Sequence, residues 1–211
     1  MSWQVRYALA NISGSQLTGE HVGGELIRIT AQDQPEVWAV ISAEHEICAA
    51  TAERYRTTYP EMDFLCGYRK SCVWHGEAIE HLESVDVGWG SCATLASASL
   101  EGNANTASHK TYFFSDRLLR QYGRVQNVCR EYDRIHRVTL RSGTVLRIAM
   151  IADYEPTADA IRSLVDQFGR VDIVWNINPN GHPSPEAIAA GIDLGCEVMK
   201  WEELKERLRT T

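Results

Sequence analysis

The chain has 211 residues, of which 44% are hydrophobic and 23% charged, a composition typical of a folded globular protein and not of a disordered or fibrous one. No apolar run approaches the roughly 20 residues of a membrane-spanning helix, and the first residues lack the charged-then-apolar layout of a secretory signal peptide. We therefore expect a cytoplasmic protein without a membrane segment, built as one domain or as two small ones.

The first part of the chain predicts strands and one βαβ unit. WQVRYALANI (3–12) and ELIRIT (25–30) alternate apolar and polar residues, as the strands of a hairpin or a pair of edge strands do. VWAVI (37–41) predicts a buried strand, residues 43–58 a helix that Pro60 ends, and MDFLCGY (62–68) a second strand.

The middle of the chain predicts two helices and a linker. Residues 76–84 form an amphipathic pattern, and residues 93–100 predict a helix of small side chains. EGNANTASHK (101–110) is polar and rich in turn residues. We therefore expect an N-terminal α/β region over 1–105 and a second region over 109–211, or one continuous domain. No internal repeat is visible in the sequence.

The second part predicts a parallel sheet. Ser115 predicts the N-cap of a helix that Gly123 ends, and two strands follow. From Val145 three short apolar runs alternate with two helical segments, the pattern of a parallel βαβαβ unit, and a short helix over 202–208 comes last. The predicted fold is α/β, a three-layer mixed sheet with βαβ units.

Arginines are concentrated between His109 and Arg147, where one Lys and eight Arg stand against three acidic residues, although the whole chain has a formal net charge of −7. Because guanidinium offers a planar fork to phosphate, this segment predicts a basic surface for nucleic acid or a phosphorylated ligand. The alternative is that these arginines pair with acidic side chains of the chain itself. The phosphate-binding candidates are Lys110, Arg117 and Arg147.

Two loops leave the same edge of the predicted parallel sheet, the edge at which open α/β sheets usually bind ligands. The first loop holds Asp153 and Glu155, which could bind a divalent cation such as Mg²⁺, pair with an arginine, or act as acid and base. Thr157 and Asp159 are explained as the N-cap and a first-turn residue of the next helix.

The second loop is rich in amides and contains one histidine. Ser184 and Pro185 are explained as the start of the following helix. The amides could contact a base or ribose edge, and His182 could act as acid, base or ligand. The ligand-binding candidates here are Asn176, Asn178 and Asn180, and the catalytic candidates of the two loops are Asp153, Glu155, His182 and Glu186.

Six cysteines are present, none in a C-x-x-C pair, which in a cytosolic chain indicates buried thiols. Cys66, Cys72, His75 and His81 are spaced more loosely than the ligand pairs of zinc sites. We therefore predict no metal site at these residues.

Roughly residues 112–208 resemble the restriction-endonuclease-like (PD-(D/E)XK) superfamily. The helix SDRLLRQYG is similar to the opening helix of such domains. DIVWNIN, SPEAIAAGIDLG, CEVMKW and EELKERL are similar to the closing segments of Mrr-like members. Catalysis in that family needs an acidic residue in one core strand and E-x-K on the next, where carboxylates hold Mg²⁺. VTLR and VLRIAMI carry neither, so the resemblance implies the fold in a degenerate member without nuclease activity.

The segment VDIVWNINPNGHPSPEAIAAGIDLGCEVMKW is also similar to the closing segment of nucleoside deoxyribosyltransferase-like proteins, in which a glutamate at a helix start is the nucleophile. Glu186 lies close to that position, although its distance to Gly195 is one residue too long. This resemblance implies a nucleotide site at the second loop.

Three functions remain open from the sequence. The first is a nucleic-acid-associated protein that binds phosphates through an Arg-rich face. The second is an enzyme that acts on a nucleotide or a phosphodiester at the carboxyl edge of the sheet. The third is a protein-interaction module of a larger complex, with part of an interface formed by Trp3, Trp38, Trp74 and Trp89.

Overall fold

The structure, a computed structural model, describes residues 1–12, 14, 16–69 and 71–211. The chain divides into two compact units, Met1–Lys110 (unit 1) and Thr111–Thr211 (unit 2). Each unit combines helices with a mixed sheet, so the predicted α/β class is confirmed. Within the described residues, no helix has both the length and the apolar character needed to cross a membrane.

Unit 1 is built on a sheet with the strand order β1-β2-β3-β5-β7. β1, β2 and β3 are antiparallel neighbours, and β3, β5 and β7 are parallel. β3, α2 and β5 form the predicted βαβ unit, and β4 pairs with β6 beside the main sheet. In chain order the elements are α1 (Trp3–Ile12), β1 (Leu17–Gly23), β2 (Leu26–Ala31), β3 (Val37–Ser42), β4 (Glu46–Ile47), α2 (Ala49–Thr58), β5 (Phe64–Gly67), β6 (Val73–Trp74), α3 (Gly76–Ser84), β7 (Gly88–Gly90), α4 (Cys92–Glu101) and a 3₁₀ turn (Ala104–Thr106).

Residues 3–12 form helix α1 and not the predicted strand. Val5, Ala8 and Ile12 are buried, and spacings of three and four residues place them on one face of a helix. The strand that pairs with β2 is β1, which begins only at Leu17. Helix α2 also begins later than predicted, at Ala49, because residues 46–47 pair with β6 as strand β4.

Unit 2 has the strand order β8-β9-β10-β11-β12, with β8, β9 and β10 antiparallel and β10, β11 and β12 parallel. The predicted βαβαβ unit is confirmed as β10-α6-β11-α7-β12. Ser115, predicted as an N-cap, lies buried inside α5, because this helix begins at Lys110. The elements are α5 (Lys110–Gln121), β8 (Val125–Tyr132), β9 (Ile135–Leu140), β10 (Val145–Ile151), α6 (Ala158–Phe168), β11 (Ile173–Asn176), α7 (Pro185–Leu194), β12 (Glu197–Met199) and α8 (Trp201–Thr210).

Helices cover both faces of each sheet, which gives the predicted three layers. In unit 1, α1 and α4 pack on one face, and α2 and α3 on the other. In unit 2, α5 and α8 cover one face, and α6 and α7 the other. Each unit therefore has apolar cores made from its own residues.

The two units repeat the same succession of elements at a constant distance along the chain. β5 begins at Phe64 and β11 at Ile173, 109 residues later, and the same interval separates β2 from β9, β7 from β12 and α4 from α8. Few paired residues are identical, and the longest identical run is Glu-Ala-Ile, at 77–79 and 186–188. Residue n of unit 1 thus corresponds to residue n + 109 of unit 2.

The correspondence extends to individual hydrogen bonds. Asp63 Oδ2 accepts from the amide of Trp38 at 2.9 Å, and Asp172 Oδ2 accepts from the amide of Arg147 at 2.7 Å. The amides of the two aspartates donate back to the same two residues, at 2.8 and 2.9 Å. The structure therefore contains an internal repeat that is not visible in the sequence.

Candidate functional site

At the carboxyl edge of unit 2, asparagines of the second loop hold the two loops together. Asn176 donates to the carbonyl oxygen of Asp153 at 2.9 Å, and Asn178 donates to that of Ala152 at 3.1 Å. The side chain of Asn178 also accepts from the amide of Asn180 at 3.1 Å. Asn176 is only 1% exposed. The amide groups of Asn176 and Asn178 are thus used inside the protein, and the ligand-binding role predicted for the three asparagines stays a prediction.

Lys200, which precedes α8, completes this connection. Its Nζ donates to the carbonyl oxygen of Gly181 at 2.5 Å and to that of Asn178, and it lies 3.5 Å from Oδ1 of Asn176. The ammonium group thereby satisfies the carbonyl of Gly181, which accepts from no backbone amide among the described residues, and adds a second donor to that of Asn178, which also accepts from the amide of Gly181 at 3.2 Å. The corresponding residue of unit 1 is Ser91, so this cation is not a requirement of the fold.

The predicted catalytic residues Asp153, Glu155, His182 and Glu186 lie on this edge, and all four are exposed. Among the described residues, their side chains have no hydrogen-bond or ion-pair partner, and no group of three or more His, Cys, Asp or Glu side chains is placed to hold a metal ion. The structure does not join them into one acid–base or Mg²⁺ site. Their catalytic role stays a prediction.

Three residues beside Asp153 were not singled out by the sequence analysis. Arg134 binds the carboxylate of Asp133 with two hydrogen bonds of 2.9 and 2.8 Å, and its guanidinium carbon lies 5.3 Å from the ring centre of Tyr112. Burial raises the pKa of Tyr112 to about 12; the positive charge of Arg134 opposes this shift, and the negative charges of Asp133 and Asp153 add to it. A neutral phenol therefore lies among two carboxylates and a guanidinium.

This cluster is specific to unit 2. The side chain of Asp133 is fully buried, yet Gly24 stands at the corresponding position of unit 1, and Trp3 corresponds to Tyr112. In the sequence, Asp133 lies between two predicted strands, where turn propensity alone explains an aspartate. Only its burial marks it as unusual.

Most arginines of the basic segment are paired within unit 2, all of whose residues the structure describes. Their partners are three acidic side chains: Asp116 binds Arg120 and Arg130, Asp133 binds Arg134, and Glu131 binds Arg137 and Arg147. Arg147 also donates to the carbonyl oxygens of Phe168 and Arg170, at 2.8 Å each. Lys110 forms an ion pair with Glu101 at 3.0 Å. For these residues, pairing within the chain explains the charge pattern.

Arg117, Arg124 and Arg141 differ from the others. All three are exposed, and no acidic partner is found for them among the described residues. The amide of Arg141 donates to the carbonyl oxygen of Arg124 at 2.9 Å, and its Nε donates to that of Gly123 at 2.8 Å. This places residues 124 and 141 side by side, close to the end of the helix that carries Arg117. We call these three residues the arginine surface.

A buried ionic cluster connects α5 to β8 and β9. Asp116 accepts from Nε2 of His136 at 2.9 Å, and it also binds Arg120 at 2.8 Å and Arg130 at 3.2 Å. Burial raises the pKa of Asp116, but the hydrogen bonds from His136 and Arg120 and the charge of Arg130 outweigh it, so that the pKa is held well below its usual value. Ile27 is the counterpart of His136 in unit 1.

The loose Cys/His set does not form a metal centre among the described residues. Cys66 and Cys72 are buried, and the thiol of Cys66 lies 3.5 Å from that of Cys92. Nε2 of His75 lies 3.3 Å from the carboxylate of Glu46. Cys66 and His75 thus contact different neighbours, Cys92 and Glu46.

Comparison of the chain with protein-family models, with curated proteins and with solved structures finds no match in any of the three.

Proposed function

We propose that the chain is a cytoplasmic, nucleic-acid-associated protein that binds phosphate groups through the arginine surface and does not cleave them. The observation that carries the proposal is the exposure of Arg117, Arg124 and Arg141 without acidic partners, in a segment whose other arginines are paired. The free thiols of the chain fit a reducing compartment.

The chemistry of the arginine surface suits a phosphate backbone. An exposed guanidinium can form two parallel hydrogen bonds with a phosphate, and binding releases the counterions condensed on the nucleic acid. Unit 2 has fourteen basic and fourteen acidic side chains, so its attraction for a polyanion is local to this surface and is not a property of its net charge.

The order of elements in unit 2, together with the residues of β9 and β10, supports a nuclease-like domain that does not cleave nucleic acid. Helix α5, three antiparallel strands, α6 and the parallel strand β11 follow one another as in restriction-endonuclease-like domains, and we propose that unit 2 is a degenerate member of that superfamily. β9 and β10 contain no acidic residue and no E-x-K, so the strands that hold Mg²⁺ in active relatives lack its ligands.

The test is a salt titration of binding to a short duplex DNA and to a single-stranded RNA, followed by fluorescence anisotropy. Three phosphate contacts on duplex DNA predict a slope of about −2.7 in log affinity against log salt, or about 40-fold weaker binding at 200 mM than at 50 mM salt. The double substitution Arg124→Glu with Arg141→Glu is expected to abolish most of the binding and to reduce this slope by about 2.

Arg162→Glu is the matched control, because Arg162 is exposed on α6 and, among the residues that the structure describes, its one ion pair is with Asp159. It is expected to leave the affinity within about two-fold. Binding that does not respond to salt, equal losses in the control, or no binding to either nucleic acid contradicts the proposal.

A second candidate is an enzyme acting on a nucleotide or a phosphodiester at the carboxyl edge of unit 2. The cluster of Tyr112, Asp133 and Arg134 beside Asp153 favours it, because unit 1 lacks this cluster. Supercoiled plasmid and a panel of nucleosides and nucleotides, each with Mg²⁺, are the substrates to test. Asp153→Ala or Glu155→Ala is expected to abolish turnover with little change in melting temperature, and turnover that survives both substitutions removes these residues from the mechanism.

A further inference from the structure

Two cysteines of unit 1 lie in contact near the carboxyl edge of its parallel strands. Cys66 is the third residue of β5 and is fully buried, whereas Cys92 is the first residue of α4 and is partly exposed. Their sulfur atoms are 3.5 Å apart. Because the sulfurs of a disulfide are about 2.05 Å apart, a total approach of about 1.5 Å, shared between the two side chains, would join them.

The turn from β7 into α4 brings Cys92 back over β5. The two strands are parallel, with Cys66 opposite Gly90, and α4 begins two residues after this glycine. Gly90 has a φ of +147°, and a Cβ at this position would lie 3.1 Å from the side chain of Thr94. Glycine therefore permits the tight turn that places the two thiols together.

The same two positions are in contact in unit 2 but hold different residues. The counterparts of Cys66 and Cys92 are Trp175 and Trp201, whose rings stack with their centres 4.9 Å apart. The fold therefore brings these two side chains together, but it does not require them to be thiols. Packing alone does not explain why unit 1 has a cysteine at both positions.

The two thiols differ in acidity as well as in exposure. With Cys66 as the donor, the hydrogen bond between them holds the pKa of Cys92 below its ordinary value; burial opposes this shift, and the amide of Cys92 adds to it. The same contact and burial raise the pKa of Cys66. The dipole of α4 also favours a thiolate at its first residue. The more exposed thiol is thus the more easily ionised one.

The remaining cysteine of this region does not belong to the pair. Cys72 packs in the core on the opposite face of the sheet, together with Leu65, whereas Cys66 faces the core that includes α4. Among the described residues, no group of three or more His, Cys, Asp or Glu side chains is placed to hold a metal ion. The arrangement is therefore that of a dithiol.

We propose that Cys92 and Cys66 form a redox-active dithiol that hydrogen peroxide oxidises to an intramolecular disulfide. The sulfur of Cys92 attacks one oxygen of the peroxide, so that an S–O bond forms, the O–O bond breaks and hydroxide leaves. The sulfur of Cys66 then attacks that of Cys92, so that the S–S bond forms, the S–O bond breaks and a second hydroxide leaves. Each hydroxide takes up the proton of one thiol, and one peroxide is reduced to two molecules of water.

The exposure of the pair suits a small oxidant, because Cys92 is only partly exposed and Cys66 is not exposed at all. An external thiol reverses the oxidation by thiol–disulfide exchange, so that the disulfide would be transient in a reducing compartment. This inference does not depend on nucleic-acid binding by the arginine surface.

The first test is oxidation of the reduced full chain with one molar equivalent of hydrogen peroxide. The number of thiols that iodoacetamide modifies after unfolding is expected to fall from six to four, and peptide mass spectrometry is expected to identify a Cys66–Cys92 disulfide. Dithiothreitol is expected to restore all six thiols. This measurement uses the unchanged chain and does not depend on the folding of any variant.

Variants separate the two roles. Cys92→Ser is expected to prevent formation of the disulfide, and Cys66→Ala is expected to stop the reaction at the sulfenic acid of Cys92, which dimedone traps. Cys129→Ser, at an exposed cysteine of unit 2, is the control and is expected to leave the disulfide unchanged.

A pH profile tests the hydrogen bond between the thiols. The rate at which iodoacetamide modifies Cys92 in the folded chain is expected to reach half its maximum below about pH 8.5, the ordinary value for cysteine. Cys66→Ala is expected to move this midpoint upwards, because the donor to the Cys92 sulfur is lost. A role of Cys66 in packing alone would not move it.

Other results overturn the proposal. Six thiols that remain free after treatment with peroxide, a disulfide that joins other cysteines, or a midpoint for Cys92 that does not respond to Cys66→Ala would each show that the pair is not a redox-active dithiol. A disulfide that forms with oxidised glutathione but not with peroxide would exclude a peroxide as the oxidant.

Discussion

At the scale of single residues, Asp63 and Asp172 perform the same structural task in the two units. Each carboxylate accepts from the amide of a residue in the third main strand of its sheet, at 2.9 Å in unit 1 and 2.7 Å in unit 2. Each aspartate is also one of the few residues identical between the units. A hydrogen bond with a charged acceptor is stronger than one between neutral groups.

We expect Asp172→Ala to lower the free energy of unfolding by about 1–2 kcal/mol, because the amide of Arg147 loses its acceptor. Asp172→Asn, which keeps an acceptor oxygen, is expected to recover part of the loss, and Asp166→Ala, at an exposed position without such a bond, to cost less than about 0.5 kcal/mol. Urea denaturation measures the three values. If Asp172→Ala and Asp172→Asn are both as stable as the unchanged protein, the aspartate does not have this role.

His136 makes unit 2 sensitive to pH. Burial lowers the pKa of His136, and the hydrogen bond and charge of Asp116 oppose this shift only in part. Since a carboxylate can only accept, Nε2 carries the proton, and Nδ1 is buried without a partner among the described residues. Protonation of Nδ1 would create a positive charge and a new N–H donor. Among the described residues, no acceptor lies within hydrogen-bond distance of this nitrogen.

The unfolded chain, in which histidine titrates near pH 6.5, therefore binds this proton before the folded chain does. The contribution of His136 to stability is fully present above about pH 6.5 and is lost as the pH falls towards the lower pKa of the folded state. We expect the unfolding free energy of unit 2 to fall between pH 7 and 5, by at most about 1.4 kcal/mol per pH unit from this residue.

His136→Ile, which installs the residue found at the corresponding position 27, is expected to flatten this pH dependence. His182→Ala, at an exposed histidine, is expected to leave it unchanged. Urea denaturation of residues 109–211, in which Trp175 and Trp201 are the two tryptophans, followed by fluorescence at several pH values, measures the slopes. An unchanged slope in His136→Ile excludes this histidine as the cause.

At the scale of elements, the loops after β10 and β11 have a defined conformation because Lys200 and two asparagines bind their carbonyl groups. The sequence correctly predicted where these loops leave the sheet, because turn residues and helix caps are local signals. Thr157 and Ser184 do accept from amides of the following helices. The sequence did not predict the role of Lys200, which lies about twenty residues away in the chain from the carbonyls it binds.

We expect Lys200→Ser, the residue at the corresponding position 91, to destabilise unit 2 by about 1.5–3 kcal/mol, because the part-buried carbonyl groups of Asn178 and Gly181 lose a charged donor. Amides over residues 176–182 are expected to exchange faster with solvent. Lys205→Ser removes only the ion pair with Glu202, whose side chain is 80% exposed, and is expected to cost less than about 0.5 kcal/mol. Similar exchange rates in the two variants argue against the role of Lys200.

Helix α1 shows why an element can be predicted wrongly. Ten residues with scattered apolar side chains fit both a strand and a helix pattern, and short segments of this kind cannot be separated by periodicity alone. The burial of Val5, Ala8 and Ile12 against the sheet of unit 1 selects the helix. The helical conformation of this segment is therefore determined by tertiary packing and not by the local sequence pattern.

At the scale of the whole molecule, the two units share one succession of elements and have separate cores. The core clusters of unit 2 contain only residues of unit 2, and those of unit 1 only residues of unit 1. The entire formal net charge of −7 belongs to unit 1, since basic and acidic side chains are equal in number in unit 2. The two units thus share one arrangement of helices and strands but differ in net charge.

We expect residues 109–211 expressed alone to fold, because both faces of their sheet are covered by their own helices. Cooperative urea unfolding and a retained near-UV circular dichroism signal are the expected results. A fragment that binds the dye ANS and has lost that signal would be a molten state and would show that unit 2 needs unit 1.

The sequence by itself determined the fold class, the βαβ units and the caps of α6 and α7, because hydrophobic period and cap chemistry are local. Tertiary structure alone decided which arginines remain exposed and that Asp133 and His136 are buried. The internal repeat also became visible only in three dimensions. A core position requires an apolar side chain of suitable volume but not a particular one, so pairs such as Phe64 and Ile173 keep the fold without keeping the sequence.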